Sequence, residues 1–156
     1  MKLIAHKGNI NGPDPSKENT PEQIEYCIKN GYDVEIDIWY DVDGKLWLGH
    51  DEPQHEIGWW WLAGKQQNLW IHCKDIATLH TFATSTSGYN YFWHQEDDYT
   101  LTSQGYIWSY PGKFFTPHTV IVRPETDAPH PLADVRSEED WNCYGLCSAY
   151  IGRIRE

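Results

Sequence analysis

Val34-Glu35-Ile36-Asp37-Ile38-Trp39 is the stretch on which the architecture turns. Its branched and aromatic residues suit a strand, and side chains two apart on a strand share a face. Glu35 and Asp37 therefore stand together. Two carboxylates held that close repel unless a cation lies between them, so the pair reads as half of a hard-metal site. A turn at Asp43-Gly44 follows, and Lys45 to Leu48 returns as a hairpin arm ending in Gly49-His50-Asp51. His50 thus comes within reach of a ligand on the metal.

Outward from this hairpin, Lys2 to Ala5 reads as a first buried strand and the Gly-, Pro- and Asn-rich stretch Asn9 to Lys17 as a loop. Thr20 to Lys29 reads as a helix, with Asn19 or Thr20 as N-cap and Pro21 opening it. Ile24, Cys27 and Ile28 lie on one face, and Asn30-Gly31 ends it. Further strands are expected at Leu69 to Cys73, Tyr89 to Trp93, Tyr106 to Trp108, Thr119 to Val122 and Tyr144 to Ala149. A helix runs from Ile76 to about Ala83, stopping before Ser85–Gly88, and Ser137-Glu138-Glu139-Asp140 opens one short helical turn. Strands alternating with helices in units of about twenty residues imply a mostly parallel sheet.

The 156 residues suffice for one domain with its own core. A formal charge of −11 argues against nucleic acid or an anionic membrane surface as partner, yet a metal and local cations can still invert the field within one pocket. No apolar run approaches membrane-spanning length, and the N-terminus lacks the apolar stretch of a signal peptide. Cys27, Cys73, Cys143 and Cys147 are few and scattered, as expected of reduced thiols in a cytoplasmic protein, and Cys143-x-x-x-Cys147 has no second pair to make a zinc site. Nine tryptophans and ten tyrosines, with Trp59-Trp60-Trp61 in succession, either fill a core short of helices or wall a pocket that stacks on a flat substrate group.

The order His6-Lys7-Gly8, Glu18-Asn19-Thr20, Glu35-x-Asp37, Asp43-Gly44, His50-Asp51 resembles the glycerophosphodiester phosphodiesterase family. Leu69-Trp70-Ile71-His72-Cys73-Lys74 looks like that family's third strand, and Tyr144-Gly145-Leu146-Cys147-Ser148 like its closing one. The resemblance implies a metal-dependent phosphoric diester hydrolase on a TIM-type (β/α) barrel. A full barrel takes about 250 residues, so a compact or incomplete one is expected, without the family's usual insertion between the second and third strands. Such barrels work at the carboxyl ends of their strands, where His6, Glu35, Asp37, His72, Lys74 and His94 all fall.

By the resemblance, His6 and His50 are general acid and base, and Glu35, Asp37 and His72 hold one divalent metal ion. Lys7, Asn19, Lys74 and His94 contact phosphate or substrate, and Glu18 either ligates the metal or orients His6. The chain departs from the family twice. Lys7 replaces an arginine and loses its two-pronged contact with phosphate. His72 replaces a glutamate, which admits Mn²⁺ or Zn²⁺ beside Mg²⁺ or Ca²⁺. The expected substrates are glycerophosphodiesters or phosphate-decorated lipids and saccharides. The alternative is a phosphate- or sugar-binding barrel that has lost turnover.

Overall fold

The computed structural model describes residues 1–85, 88–126 and 141–154. Its centre is strand β2 (Asp33–Tyr40), flanked by parallel β1 (Lys2–His6) and β5 (Leu69–Cys73). From Asp33 to Ile38 every residue of β2 is buried, as befits a strand covered on both faces. One face carries Val34, Ile36 and Ile38, which join a core with Leu69 and Ile71 of β5 and with Ile24 and Cys27 of helix α1 (Pro21–Lys29). Burying each aliphatic side chain of this kind contributes roughly 1.5–3 kcal/mol. The opposite face carries Asp33, Glu35 and Asp37.

The expected helix and its cap hold: Thr20 accepts from the Gln23 N–H at 3.3 Å, and Pro21 is the first helical residue. The connection from β1 to β2 is therefore one short helix. β2 leaves through a hairpin to antiparallel β3 (Leu46–Leu48), with Asp41 accepting the N–H groups of Asp43 and Lys45 across the turn and Gly44 left-handed at φ 80°. A third antiparallel arm, β4 (His55–Ile57), and the four-residue helix α2 (Trp59–Leu62) lead to β5. Helix α3 (Ile76–Ser85) then connects to β6 (Asn90–Phe92), which is parallel to β5. The hairpin β7 (Tyr99–Leu101) and β8 (Ile107–Ser109) follows, and parallel β9 (Thr119–Val122) and β10 (Gly145–Ser148) return the chain to β1. Short 3-10 turns lie at Pro124–Thr126 and Ile151–Ile154. The helical turn expected at Ser137–Asp140 lies outside the described residues, as do residues 86 and 87 of the expected helix stop.

The expected compact TIM-type (β/α) barrel is not formed. The sheet is mixed and open, running β4-β3-β2-β1-β10-β9-β8-β7 with β5 and β6 branching from β2, and no ladder closes it among the described residues. The physical reason lies in the connections. A (β/α) barrel needs a helical crossover after each strand, whereas this chain spends β2–β3–β4 and β7–β8 on antiparallel hairpins. The sheet nevertheless curls. Ile4, Trp70, Phe92, Trp108, Val120, Val122 and Cys147 from six strands form one cluster on the acid-bearing face, with the Phe92 and Trp108 rings 4.5 Å apart. Large rings thus fill volume that helices do not supply, as the first of the two aromatic readings holds. Within Trp59-Trp60-Trp61, Trp59 packs on Phe82 of α3, and Trp61 is buried with its indole N–H donating to Glu25 of α1 at 2.9 Å.

Candidate metal and acid–base site

Strand period places Glu35 and Asp37 side by side, and register brings their neighbours in. His6 of β1 pairs with Glu35, while His72 of β5 pairs with Asp37. Both carboxylates are buried, Glu35 at 3% exposure and Asp37 at 0%. The His6 Nε2 stands 3.9 Å from Glu35 Oε2, and the Lys7 backbone N–H donates to the same oxygen at 3.1 Å. His50 arrives from the loop after β3, with Nδ1 3.1 Å from Asp37 Oδ2. Trp39 fixes that loop by donating its indole N–H to the Gly49 carbonyl at 2.6 Å. Gly49 sits at φ 152°, and an added Cβ there would lie 2.0 Å from the Glu52 carbonyl oxygen. Only glycine fits.

Asn19, at 1% exposure, uses both ends of its amide on Asp37. Its Nδ2 donates to Oδ2 at 2.9 Å, and its Oδ1 accepts the Asp37 N–H at 3.0 Å. Both ends of the amide thus clamp the acid, while capping falls to Thr20. Glu18 pairs with the Lys7 ammonium at 3.5 Å and accepts from Asn9, whose amide also donates to the His6 carbonyl. Lys74 Nζ is 3.4 Å from Asp37 Oδ1. The His94 side chain is used within its own loop: Nε2 meets the Asp97 carbonyl at 2.6 Å and the ring packs on Tyr110. What His94 brings to the site is its carbonyl oxygen.

That carbonyl settles the tautomer of His72. It lies 2.8 Å from His72 Nε2 and can only accept, so Nε2 carries the hydrogen. The other ring nitrogen, Nδ1, lies 3.0 Å from Asp37 Oδ1 and 3.9 Å from Glu35 Oε1. Asp37 Oδ1 is itself buried and accepts no hydrogen bond, since neither His72 nor Lys74 is aligned to donate. A buried carboxylate oxygen left without a hydrogen bond, with a second carboxylate and an imidazole nitrogen beside it, is a position that a cation would satisfy. One ligand atom from each of Glu35, Asp37 and His72 lies within 4.8 Å of the others, so the donor set fits a single ion. Phe92 stacks parallel to His72 with ring centroids 5.2 Å apart and holds its plane.

The electrostatics follow the same division. Burial, then the charge of Asp37, pushes the Glu35 carboxyl well above the usual carboxylate range. Burial pushes Asp37 up as well, but contacts from His50 and His72 and the charge of Lys74 outweigh it and hold this carboxyl well below that range. His6 is brought down to about 3 by burial and by the nearby charges of Lys7, Arg123 and His50, against the opposing pull of Asp37. It is a neutral imidazole near pH 7.

Strand period made the two acids legible in the sequence. The roles of Asn9, the His94 carbonyl and Phe92 depend on contacts between distant segments, and nothing local signalled them. Among the described residues no helix is long and apolar enough to cross a membrane. Neither the models of known protein families, nor curated proteins, nor solved structures give a match to this chain.

Proposed function

We propose that this chain is a metal-dependent phosphoric diester hydrolase, acting on small glycerophosphodiester-like substrates or on phosphate-decorated lipid or saccharide groups. The observation that carries the reading is the buried, hydrogen-bond-free Asp37 Oδ1 with His72 Nδ1 3.0 Å away and two further imidazoles beside the same acids. Glu35, Asp37 and His72 would hold one divalent cation. The two carboxylates suit Mg²⁺ or Ca²⁺, and the imidazole admits Mn²⁺ or Zn²⁺. When bound, such an ion supplies Lewis acidity to a phosphoryl oxygen.

The remaining steps belong to the side chains. Neutral His6 accepts the proton of an attacking water, or of a hydroxyl adjacent to the ester, as the new P–O bond forms. His50 has the Asp37 carboxylate at its Nδ1, which stabilises the imidazolium, so Nε2 gives a proton to the leaving alkoxide as the old P–O bond breaks. Lys74 adds positive charge where the phosphoryl group gains negative charge. Asn19 and the Lys7 N–H keep the two carboxylates in place. The four free cysteines support a reducing compartment, and we place the protein in the cytoplasm.

The test is hydrolysis of bis(4-nitrophenyl) phosphate and glycerophosphocholine with Mg²⁺, Ca²⁺, Mn²⁺ and Zn²⁺ in turn. Turnover should vanish with EDTA and fall about 10²- to 10⁴-fold in His50→Ala. Turnover indifferent to both overturns the mechanism. Tight diester binding without turnover under every metal would assign the chain to a second reading, a phosphate- or sugar-binding module.

A further inference from the structure

The amino ends of the parallel strands gather a second set of polar groups, away from the acids and imidazoles at the carboxyl ends. Asp33 opens β2 and Asp37 lies four residues on, so the two places are about 13 Å apart at roughly 3.3 Å per residue. A cavity of about 170 Å³ lies at the amino ends. Lys2, Asp33, Leu69 and Asn90 line it, and they are the first residues of β1, β2, β5 and β6. Tyr106 and Tyr144, which also line it, immediately precede β8 and β10. The walls are held by contacts of their own. Ser103 donates its N–H to the Tyr91 carbonyl at 2.8 Å and its hydroxyl to the Tyr89 carbonyl at 3.1 Å. Gln104 donates its N–H to Asn90 Oδ1 at 3.4 Å and its side-chain amide to the Gly88 carbonyl at 3.0 Å. The Tyr106 and Tyr144 rings stand 4.1 Å apart, and both pack on Trp70.

We propose that this cavity is a second binding site, taking one neutral polyhydroxylated ring, a single sugar or cyclitol, with its hydroxyls on Gln66, Gln67 and Asn90. The site is separate from the metal cluster and does not depend on the phosphodiester reading. Its charged lining is already answered from within: Asp33 meets the Lys2 ammonium, the Trp70 indole N–H and the Asn68 amide. An anion would find no uncommitted cation here, and a cation no uncommitted acid. The neutral lining is different. Asn90 is only 4% exposed, yet its amide nitrogen makes no hydrogen bond among the described residues. The side-chain amides of Gln66 and Gln67, on the same cavity, make none either. A buried amide left open is a donor awaiting an acceptor. Burial, then the Tyr106 hydroxyl, pushes the Tyr144 phenol up to about 12, so it stays a neutral hydroxyl. Amides that both donate and accept, beside flat rings, suit a ligand with hydroxyls at its edge and carbon on its face. The volume equals about six waters at roughly 30 Å³ each, and it falls below the roughly 300–1,000 Å³ of pockets that hold drug-sized ligands. One ring fits that space.

The experiment titrates D-glucose, D-mannose and myo-inositol in turn into the metal-free, isotope-labelled protein and follows the side-chain amide signals by NMR. At least one ring should shift the signals of Gln66, Gln67 and Asn90 to saturation while those of His6 and His50 stay in place. Gln66→Leu is the decisive variant, because its amide makes no hydrogen bond that the fold would lose. It should weaken binding about 3- to 10-fold, the loss expected of one neutral hydrogen bond. Asn90→Leu should weaken it at least as much, and it also removes the acceptor of the Gln104 N–H, so Gln66→Leu decides if Asn90→Leu fails to fold. Shifts that never saturate with any of the three rings, shifts centred on His6 and His50, or wild-type affinity in Gln66→Leu overturn the assignment. Acetamide saturating the same amides more tightly than every ring overturns it as well, since the cavity would then read amides and not hydroxyls. Because no metal is present, the result stands or falls apart from diester turnover.

Discussion

The two ends of β2 bury the same chemistry and treat it in opposite ways. At its start, Asp33 is 5% exposed and receives the Lys2 ammonium at 3.0 Å, the Trp70 indole N–H at 3.2 Å and the Asn68 amide at 3.3 Å. Both oxygens are served by donors, and the acid is closed off. Two and four residues on, Glu35 and Asp37 are just as buried, yet one Asp37 oxygen accepts no hydrogen bond. A buried acid is therefore not by itself a sign of function. The discriminating feature is whether its lone pairs are already answered from within the protein.

Exchanging the acids one at a time is the most forceful way to break this contrast. Asp37→Asn should cost about 100-fold or more in Mn²⁺ affinity, measured by calorimetry, because it removes a ligand charge from the ion. Asp33→Asn should leave Mn²⁺ affinity unchanged and lower unfolding stability by about 1–3 kcal/mol in denaturant titration, since it removes the charge that the Lys2 ammonium and the buried Trp70 indole N–H meet. Equal losses of metal affinity in the two variants would erase the distinction between the two ends. Gly49→Ala is a smaller perturbation. The clash of its Cβ with the Glu52 carbonyl must shift the loop that carries His50, so kcat should fall about 10- to 100-fold while Mn²⁺ affinity holds. An unchanged kcat would detach His50 from the chemistry. The mildest effect concerns pH. Glu35 titrates above the ordinary carboxylate range, so below its raised value the metal-free protein holds a proton there that an ion must displace. Mn²⁺ affinity should then keep rising as pH climbs above the ordinary carboxylate range, with release of a proton, and level off only once Glu35 is ionised. Calorimetry in buffers of different ionisation enthalpy reads that release, and a flat profile would show Glu35 no different from an exposed acid.

The parts legible in the sequence were those with local signals. Leu69–Cys73 and Thr119–Val122 are apolar runs bounded by polar residues, and they are strands at those limits. The helix from Pro21 announced itself by its cap and its proline, and the hairpin at Asp43-Gly44 by its turn residues. The three-residue strands His55–Ile57 and Tyr99–Leu101 carry no readable alternation, and they exist because a neighbouring strand offers hydrogen bonds. Barrel closure was misjudged for a related reason. Alternation of strand and helix specifies parallel pairing, but the antiparallel hairpins that divert this chain are decided by the short connections after β2, β3 and β7. At the site, period two gave Glu35 with Asp37 and His72 with Lys74. The cap motif drew attention to Asn19 for a local role, whereas its amide is spent on a strand eighteen residues away.

The three acids along one face of β2 bear on how the protein survives as well as on what it does. A strand that buries Glu35 and Asp37 together weakens its own fold until a counter-charge arrives, and any ion bound only by the folded form stabilises it by mass action. On the proposed reading, ion supply would set the resistance of the chain to heat and to proteases. A starved cell would lose the protein itself, and its catalytic output would follow.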